Sequence, residues 1–265
     1  RDDGELVAML KTQLKDEGVT FIEGVSVTSV HQNEPKNIML TLADGSSLKA
    51  SHVLLAAGRQ SLTSGLNLPA ADVDYGKNGI VTDRRLRTTN KRIYAIGDVT
   101  GRHQFTHMAN YDASICLRNI LFKYPAKIDD TAVPWVTYCD PELAHVGLTH
   151  NAAIALWGKE NVTVTSWDLA DNDRACIDHR TAGMVKAVIH KKGYILGASI
   201  LAPIAGEMIQ PWILAIANKQ KILGMATMIA PYPTYSEASK RAAGNFFTAK
   251  LFSRPTRKLV QFLLR

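Results

Sequence analysis

The sequence predicts an α/β region followed by an α+β region built on an antiparallel sheet. Three observations carry that expectation. Two apolar runs, His52-Val53-Leu54-Leu55-Ala56-Ala57-Gly58-Arg59 and Ile93-Tyr94-Ala95-Ile96-Gly97-Asp98, stop abruptly at glycine. That is the pattern of buried parallel strands whose carboxyl ends open onto a ligand. Asp44-Gly45, set between short β-compatible stretches, marks a hairpin turn. Beyond Pro134 several segments alternate polar with apolar residues, as strands of an antiparallel sheet do.

Taken in order, Glu5 to Glu17 places Leu6, Val7, Leu10 and Leu14 at helical spacing among charges, with Gly18 where a C-cap belongs. Val19–Ile22, Val25–Val30, Ile38–Leu42 and Leu48 read as short strands. The return strand ends at Gly58-Arg59, so this stretch looks like the latter half of a nucleotide-binding α/β domain. Gly65, Pro69, Gly76 and Gly79 punctuate a linker that carries one short strand at Ile80-Val81. After Gly97-Asp98, Thr106–Phe122 is helical, with Met108, Ile115, Cys116, Ile120 and Leu121 available for an apolar face. A helix starting just past a strand-end Gly-Asp aims its positive dipole end at the same site. Lys123–Pro134 is a boundary. Strands are expected at 135–138, 144–146, 162–167, 183–190 and 194–201, and helices at 206–218 and 236–251.

Composition excludes several classes. The chain has 265 residues, 46% of them hydrophobic, and a mean hydropathy of −0.06. It has no stretch near the roughly 20 apolar residues of a membrane span and no secretory apolar region at Arg1-Asp2-Asp3. The net charge is +7, yet the basic residues are scattered until the last fifteen positions, with no aromatic-interleaved stripe, so no nucleic-acid partner is expected. Cys116, Cys139 and Cys176 are too widely spaced for a disulfide framework or a CxxC metal site. They are expected to be small buried residues; no metal ligands are assigned, and a reducing cytoplasm is the expected location.

Five ordered segments together resemble the flavin-dependent pyridine nucleotide–disulfide oxidoreductases. They are Leu54–Arg59, Gly79–Asp83 with Leu86–Thr89, Ile93–Asp98, Pro134 with Pro141–Thr149, and Tyr232-Pro233-Thr234-Tyr235-Ser236-Glu237. Phe105–Ala109 and the tyrosine at 232 are similar to the mercuric-reductase-like branch. The resemblance implies the carboxyl-terminal portion of such an enzyme, because neither a GxGxxG loop nor a CxxxxC pair occurs. On that basis residues 1–58 are the end of an NAD(P)-binding domain, 59–131 the end of an FAD-binding domain, and 132–265 a dimerisation domain.

The resemblance also implies roles. FAD and NAD(P)H are the cofactors, a homodimer is the assembly, and a disulfide-like small molecule or a metal ion accepts the electrons. Asp98 matches the aspartate that binds the ribityl chain of FAD, with Gly97 allowing close approach. Gly58 and Arg59 belong to the same cofactor region, and Met108 and Ala109 match the start of the helix aimed at the flavin. Tyr232 stands where the disulfide reductases carry a histidine base, and a phenol with a pKa near ~10 is a poor base at neutral pH. Glu237 either orients Tyr232 or begins the following helix; Tyr232 and Glu237 are the catalytic candidates. His107 reads as a capping or packing residue, and Pro233 is a candidate cis proline. The resemblance implies that the fragment alone is inactive, and the alternative is a non-catalytic dimerisation module. The basic and apolar tail from Phe252 onward reads either as a helix packed on the dimer or as one touching an anionic membrane surface.

Overall fold

The computed structural model describes residues 1–264. They form two compact units, one of residues 1–19 with 130–264 and the other of residues 20–129.

In the first unit, helix α1 (Gly4–Asp16) starts where the Asp3 carboxylate accepts the Glu5 and Leu6 amides, at 3.1 and 3.4 Å. It ends where Gly18 (φ 94°) turns the chain back. The sheet has strands β6 (Pro134–Thr137), β7 (Glu142–Gly147), β8 (Val162–Asp168), β9 (Met184–His190) and β10 (Ile195–Ala202) in the order β6-β7-β10-β9-β8, every pair antiparallel. Period-2 alternation gives it two different faces. Ala144, Val146, Val185, Ala187, Ile189 and Ile200 point to the main core, which α6 (Gln210–Ala217) and α8 (Glu237–Leu251) close with the fully buried Trp212, Ala238 and Ala242. Here α3 is His150–Trp157, α4 Asp173–Ile177, α5 Ala205–Met208, α7 Ile222–Thr227 and α9 Arg254–Leu263.

The other face carries Leu143, Met184 and Leu201, and α1 covers them with Leu6 and Leu10. Polar side chains between them are all matched. Lys186 bonds Asp3 at 3.0 Å and Glu5 at 2.7 Å. Burial opposes its charge, but the two carboxylates outweigh that penalty and hold its pKa above the ordinary range. His145, 1% exposed, lies against Trp135 with ring centroids 4.5 Å apart. Its Nε2 is 3.0 Å from the Gly147 carbonyl and its Nδ1 2.8 Å from the Ser199 hydroxyl. A carbonyl only accepts, so Nε2 carries the proton and Nδ1 accepts from Ser199.

The second unit begins with a three-stranded antiparallel sheet, β1 (Val27–Glu34), β2 (Asn37–Leu42) and β3 (Ser47–Ala50), with Asp44-Gly45 turning between the last two. A two-residue hairpin, β4 (Tyr75–Gly76) and β5 (Gly79–Ile80), follows, and then helix α2 (Thr106–Ile120).

The expected parallel strands are absent among the described residues. Residues 52–59 form no strand, and Leu54 and Leu55 are 90% and 87% exposed. A parallel strand needs neighbours to pair with, and the chain sets none beside this run. Ile93–Ile96 instead closes a local antiparallel turn. Tyr94 bridges Arg87, and the Asp83 carboxylate pins the bend by accepting from the amides of Arg85 and Arg87 and from the Arg87 guanidinium. Val19–Ile22 also forms no strand. The compact units divide at 19/20 and 129/130, and α1 joins the segment from residue 130 onward by burying its apolar stripe on β7, β9 and β10.

Candidate functional site

Gly97 opens a short 3-10 turn, Gly97–Thr100, and four contacts set that turn. The Gly97 amide donates to Asp112 Oδ2 at 3.2 Å, and Thr100 Oγ1 donates back to the Gly97 carbonyl at 2.8 Å. Ser61 Oγ lies 2.7 Å from the Asp98 carbonyl and 2.9 Å from that of Asn78. The β4–β5 hairpin presses so closely on the turn that a Cβ on Gly101 would stand 1.5 Å from the Asn78 carbonyl oxygen. Gly97 itself has φ +66°, and a Cβ there would lie 3.0 Å from that of Ala109. Glycine at 97 is therefore demanded both by a left-handed backbone and by the close approach of α2.

The result is a presented carboxylate. Asp98 keeps its side chain half exposed, with Arg59 Nη1 3.9 Å from its Oδ2. Gly58 (φ 107°) precedes Arg59 in an open loop with nothing within 4 Å of its Cβ position. Arg59, Ser61, Lys77, Asn78, Gly101 and Gln104 line an adjoining cleft of about 330 Å³. At the amino end of α2, Met108 is buried and its amide bonds the Phe105 carbonyl, while Ala109 packs against Gly97. The structure thus gathers Arg59, Gly97, Asp98 and Ala109 around one turn. It also adds two residues that the sequence reading passed over. Ser61 has no motif to announce it. Asp112 lies in line with Met108, Ile115 and Cys116 on the buried stripe of α2, and an acid on such a stripe is itself a signal. Its Oδ1 is 3.6 Å from Arg102 Nη1.

Tyr232 belongs to the first unit. Its bond to Pro233 is cis, its ring is exposed, and its hydroxyl donates to Asp173 Oδ2 at 2.7 Å. That bond to a carboxylate is the main reason the phenol is held above its ordinary pKa, so it stays protonated and acts as a donor. Asn172 sets the geometry. It is 3% exposed, caps α4 through the Ala175 amide at 3.0 Å, and donates to the Thr234 carbonyl at 3.1 Å, which brings Asp173 beside the tyrosine. Glu237 is the first residue of α8 and binds Arg241 at 2.8 Å. Tyr235, Arg174, Asp178 and Arg180 line an open cleft of about 740 Å³ next to Pro233. Sequence separation hid Asp173, since it stands 59 positions from its partner.

All three cysteines are free. Burial raises the thiol pKa of Cys116 and of Cys139, which keeps both protonated and unreactive. Cys176 departs from expectation: it sits exposed on α4 with its thiol 3.3 Å from the Ala170 carbonyl. Five residues of helix give that position no core to face.

A half-exposed carboxylate thus stands beside a glycine turn and the amino end of α2. Residues 2–113 match the profile described as pyridine nucleotide-disulphide oxidoreductase, and residues 133–243 match the dimerisation domain of the same group. The chain belongs to the pyridine nucleotide–disulphide oxidoreductase family. It combines part of the α/β nucleotide-binding region with an α+β dimerisation domain, and the cofactors of the family are FAD and NAD(P)H. It is 35% identical over 248 residues to a mercuric reductase of Staphylococcus aureus, covering 92% of this chain and 45% of that protein. It is 32% identical to dihydrolipoyl dehydrogenase 3 of Pseudomonas putida, covering 92% and 53%. Among solved structures, the HOCl-induced flavoprotein disulfide reductase RclA of Escherichia coli superposes with a TM-score of 0.85 at 28% identity, covering 92% of this chain and 56% of that one. The chain spans about half the length of the curated relatives it matches.

Proposed function

We propose that the chain is the carboxyl-terminal part of an FAD- and NAD(P)H-dependent oxidoreductase that acts as a homodimer through residues 132–265. Residues 1–58 and 59–131 contribute the ends of its NAD(P)- and FAD-binding domains. The observation that carries this reading is the half-exposed Asp98 carboxylate, fixed by Gly97, Ser61 and Asp112 next to the start of α2. A fixed acceptor of that kind suits the hydroxyls of a ribityl chain. When bound, FAD supplies the two-electron centre between the pyridine nucleotide and a thiol pair held outside these residues.

The chain's own residues then have defined tasks. Gly58, Arg59, Gly97 and Asp98 hold the cofactor, and Met108 and Ala109 seat the α2 amino end, whose dipole favours negative charge on the ring. Tyr232, whose one hydroxyl proton is held by Asp173, presents its phenol oxygen lone pairs to the acceptor bound at the thiols. Glu237 supports it electrostatically from the start of α8. The names of the relatives, a mercuric reductase and a flavoprotein disulfide reductase, point to a metal ion or a disulfide as acceptor, with a reducing cytoplasm as the location. Without the thiol pair the 265 residues alone are expected to be inactive and to behave as a dimerisation module.

Rapid mixing of the full-length flavoprotein with NADH and with NADPH tests this reading. Bleaching of the flavin band by either nucleotide is expected; no bleaching with either would overturn it. Tyr232→Phe should lower turnover with the acceptor while leaving flavin reduction unchanged, and unaltered turnover with every disulfide and metal acceptor would remove the phenol from the mechanism.

A further inference from the structure

Helix α9 plays no part in either candidate site. Its start is rigidly specified. Ser253 caps it through the Thr256 amide at 3.5 Å, Pro255 stands in the first turn, and Thr256 Oγ1 donates back to the Lys250 carbonyl at 2.8 Å. Its surface is sorted in the sequence. Leu259, Phe262 and Leu263 recur at helical spacing on one face, while Arg254, Arg257, Lys258 and Gln261 fall on the opposite one. A helix so sorted normally buries its apolar face, but this one buries nothing: Leu259, Phe262, Leu263 and Leu264 are 56%, 74%, 70% and 82% exposed. Leu251 and Phe252, just before it, are exposed as well.

Two observations decide what covers that face. The match to the dimerisation domain ends at residue 243, before α9 begins at Arg254. From Ala238 onward the sequence has no acidic residue, while Lys240, Arg241, Lys250, Arg254, Arg257 and Lys258 are all basic. Basic flanks around a leucine- and phenylalanine-rich face complement an anionic lipid surface, where the apolar side enters the acyl boundary and the cations meet the headgroups. No helix among the described residues is long and apolar enough to cross a membrane, and ten residues span only about 15 Å. We propose that α9 is an interfacial helix that lies flat on an anionic phospholipid bilayer and holds the protein at that surface.

Flotation of the 265-residue chain with vesicles tests this. Binding to phosphatidylcholine vesicles containing phosphatidylglycerol is expected, with far less to phosphatidylcholine alone, and added salt should release it. Because α9 packs on nothing, Phe262→Glu with Leu263→Glu should leave the fold intact and abolish flotation. Arg257→Glu with Lys258→Glu should weaken partitioning by at least about fivefold per residue. Equal flotation on both lipids, or flotation that survives both pairs of changes, would overturn the proposal. So would a failure to float combined with a fall in solution mass for Phe262→Glu, which would assign the face to a second copy of the chain.

Discussion

Replacing Asp112 with alanine removes a carboxylate that is 2% exposed and holds the Gly97–Thr100 turn from behind. Two interactions go with it: the 3.2 Å bond from the Gly97 amide and the 3.6 Å approach of Arg102. A hydrogen bond to a charged group contributes about 1.5–3 kcal/mol, and leaving its buried donor unmatched adds to the loss. The Arg102 side chain is 23% exposed, so water screens part of the broken ion pair and its share is nearer 1 kcal/mol than the full buried value. The sum is about 3 kcal/mol, equivalent to a hundredfold or more in the opening equilibrium of the turn. Native-state hydrogen exchange at the Gly97 amide reads that equilibrium directly. Asp112→Asn keeps an acceptor for Gly97 and should recover about half of the protection. Exchange at Gly97 changed less than threefold in Asp112→Ala would refute the assignment of Asp112 as the anchor of this turn.

Further outcomes follow from buried groups and from glycine. Burial is the leading cause that holds the His145 imidazole below its ordinary range, so the unfolded chain takes up that proton first as pH falls. Its contribution to stability is complete above about pH 6.5 and is lost as pH drops from there towards the folded value; urea unfolding across that interval should show the decline, and His145→Gln should flatten it. Gly101→Ala forces a Cβ to within 1.5 Å of the Asn78 carbonyl oxygen at φ +66°, so the backbone must move, at a cost of about 3 kcal/mol or more in denaturant unfolding. Gly244→Ala, in open space on α8, should instead stabilise by about 0.5–1 kcal/mol, and equal effects at the two glycines would contradict the contact geometry.

Local patterns were the legible part of this chain. Alternation announced β6 to β10, and the 3.6-residue stripe announced α1 and α2, because the face each element buries is written into its own residues. Long-range pairing was not legible in that way. The runs ending at Gly58 and Gly97 have the composition of parallel strands, but strand formation also requires a neighbour, and composition does not name one. The same limit applied at Tyr232: its sequence neighbours left Glu237 either orienting the phenol or beginning the next helix, and only the capping of α4 by Asn172 shows Asp173 beside it. Asp112 was hidden by its setting, since a helix stripe read for hydrophobicity passes over an acid that the turn beyond requires.

The bare run from Val53 to Ala57 has a consequence for handling the protein. Five adjacent apolar residues stand in water without a strand partner among the described residues, so their amides and carbonyls offer an open hydrogen-bonding edge. Such an edge accepts any extended apolar segment, including its own counterpart on another molecule. The 265-residue chain should therefore lose solubility with rising concentration through edge-to-edge β-pairing, and a charged residue placed at Leu54 or Leu55 should delay that assembly without touching the packed core of either unit.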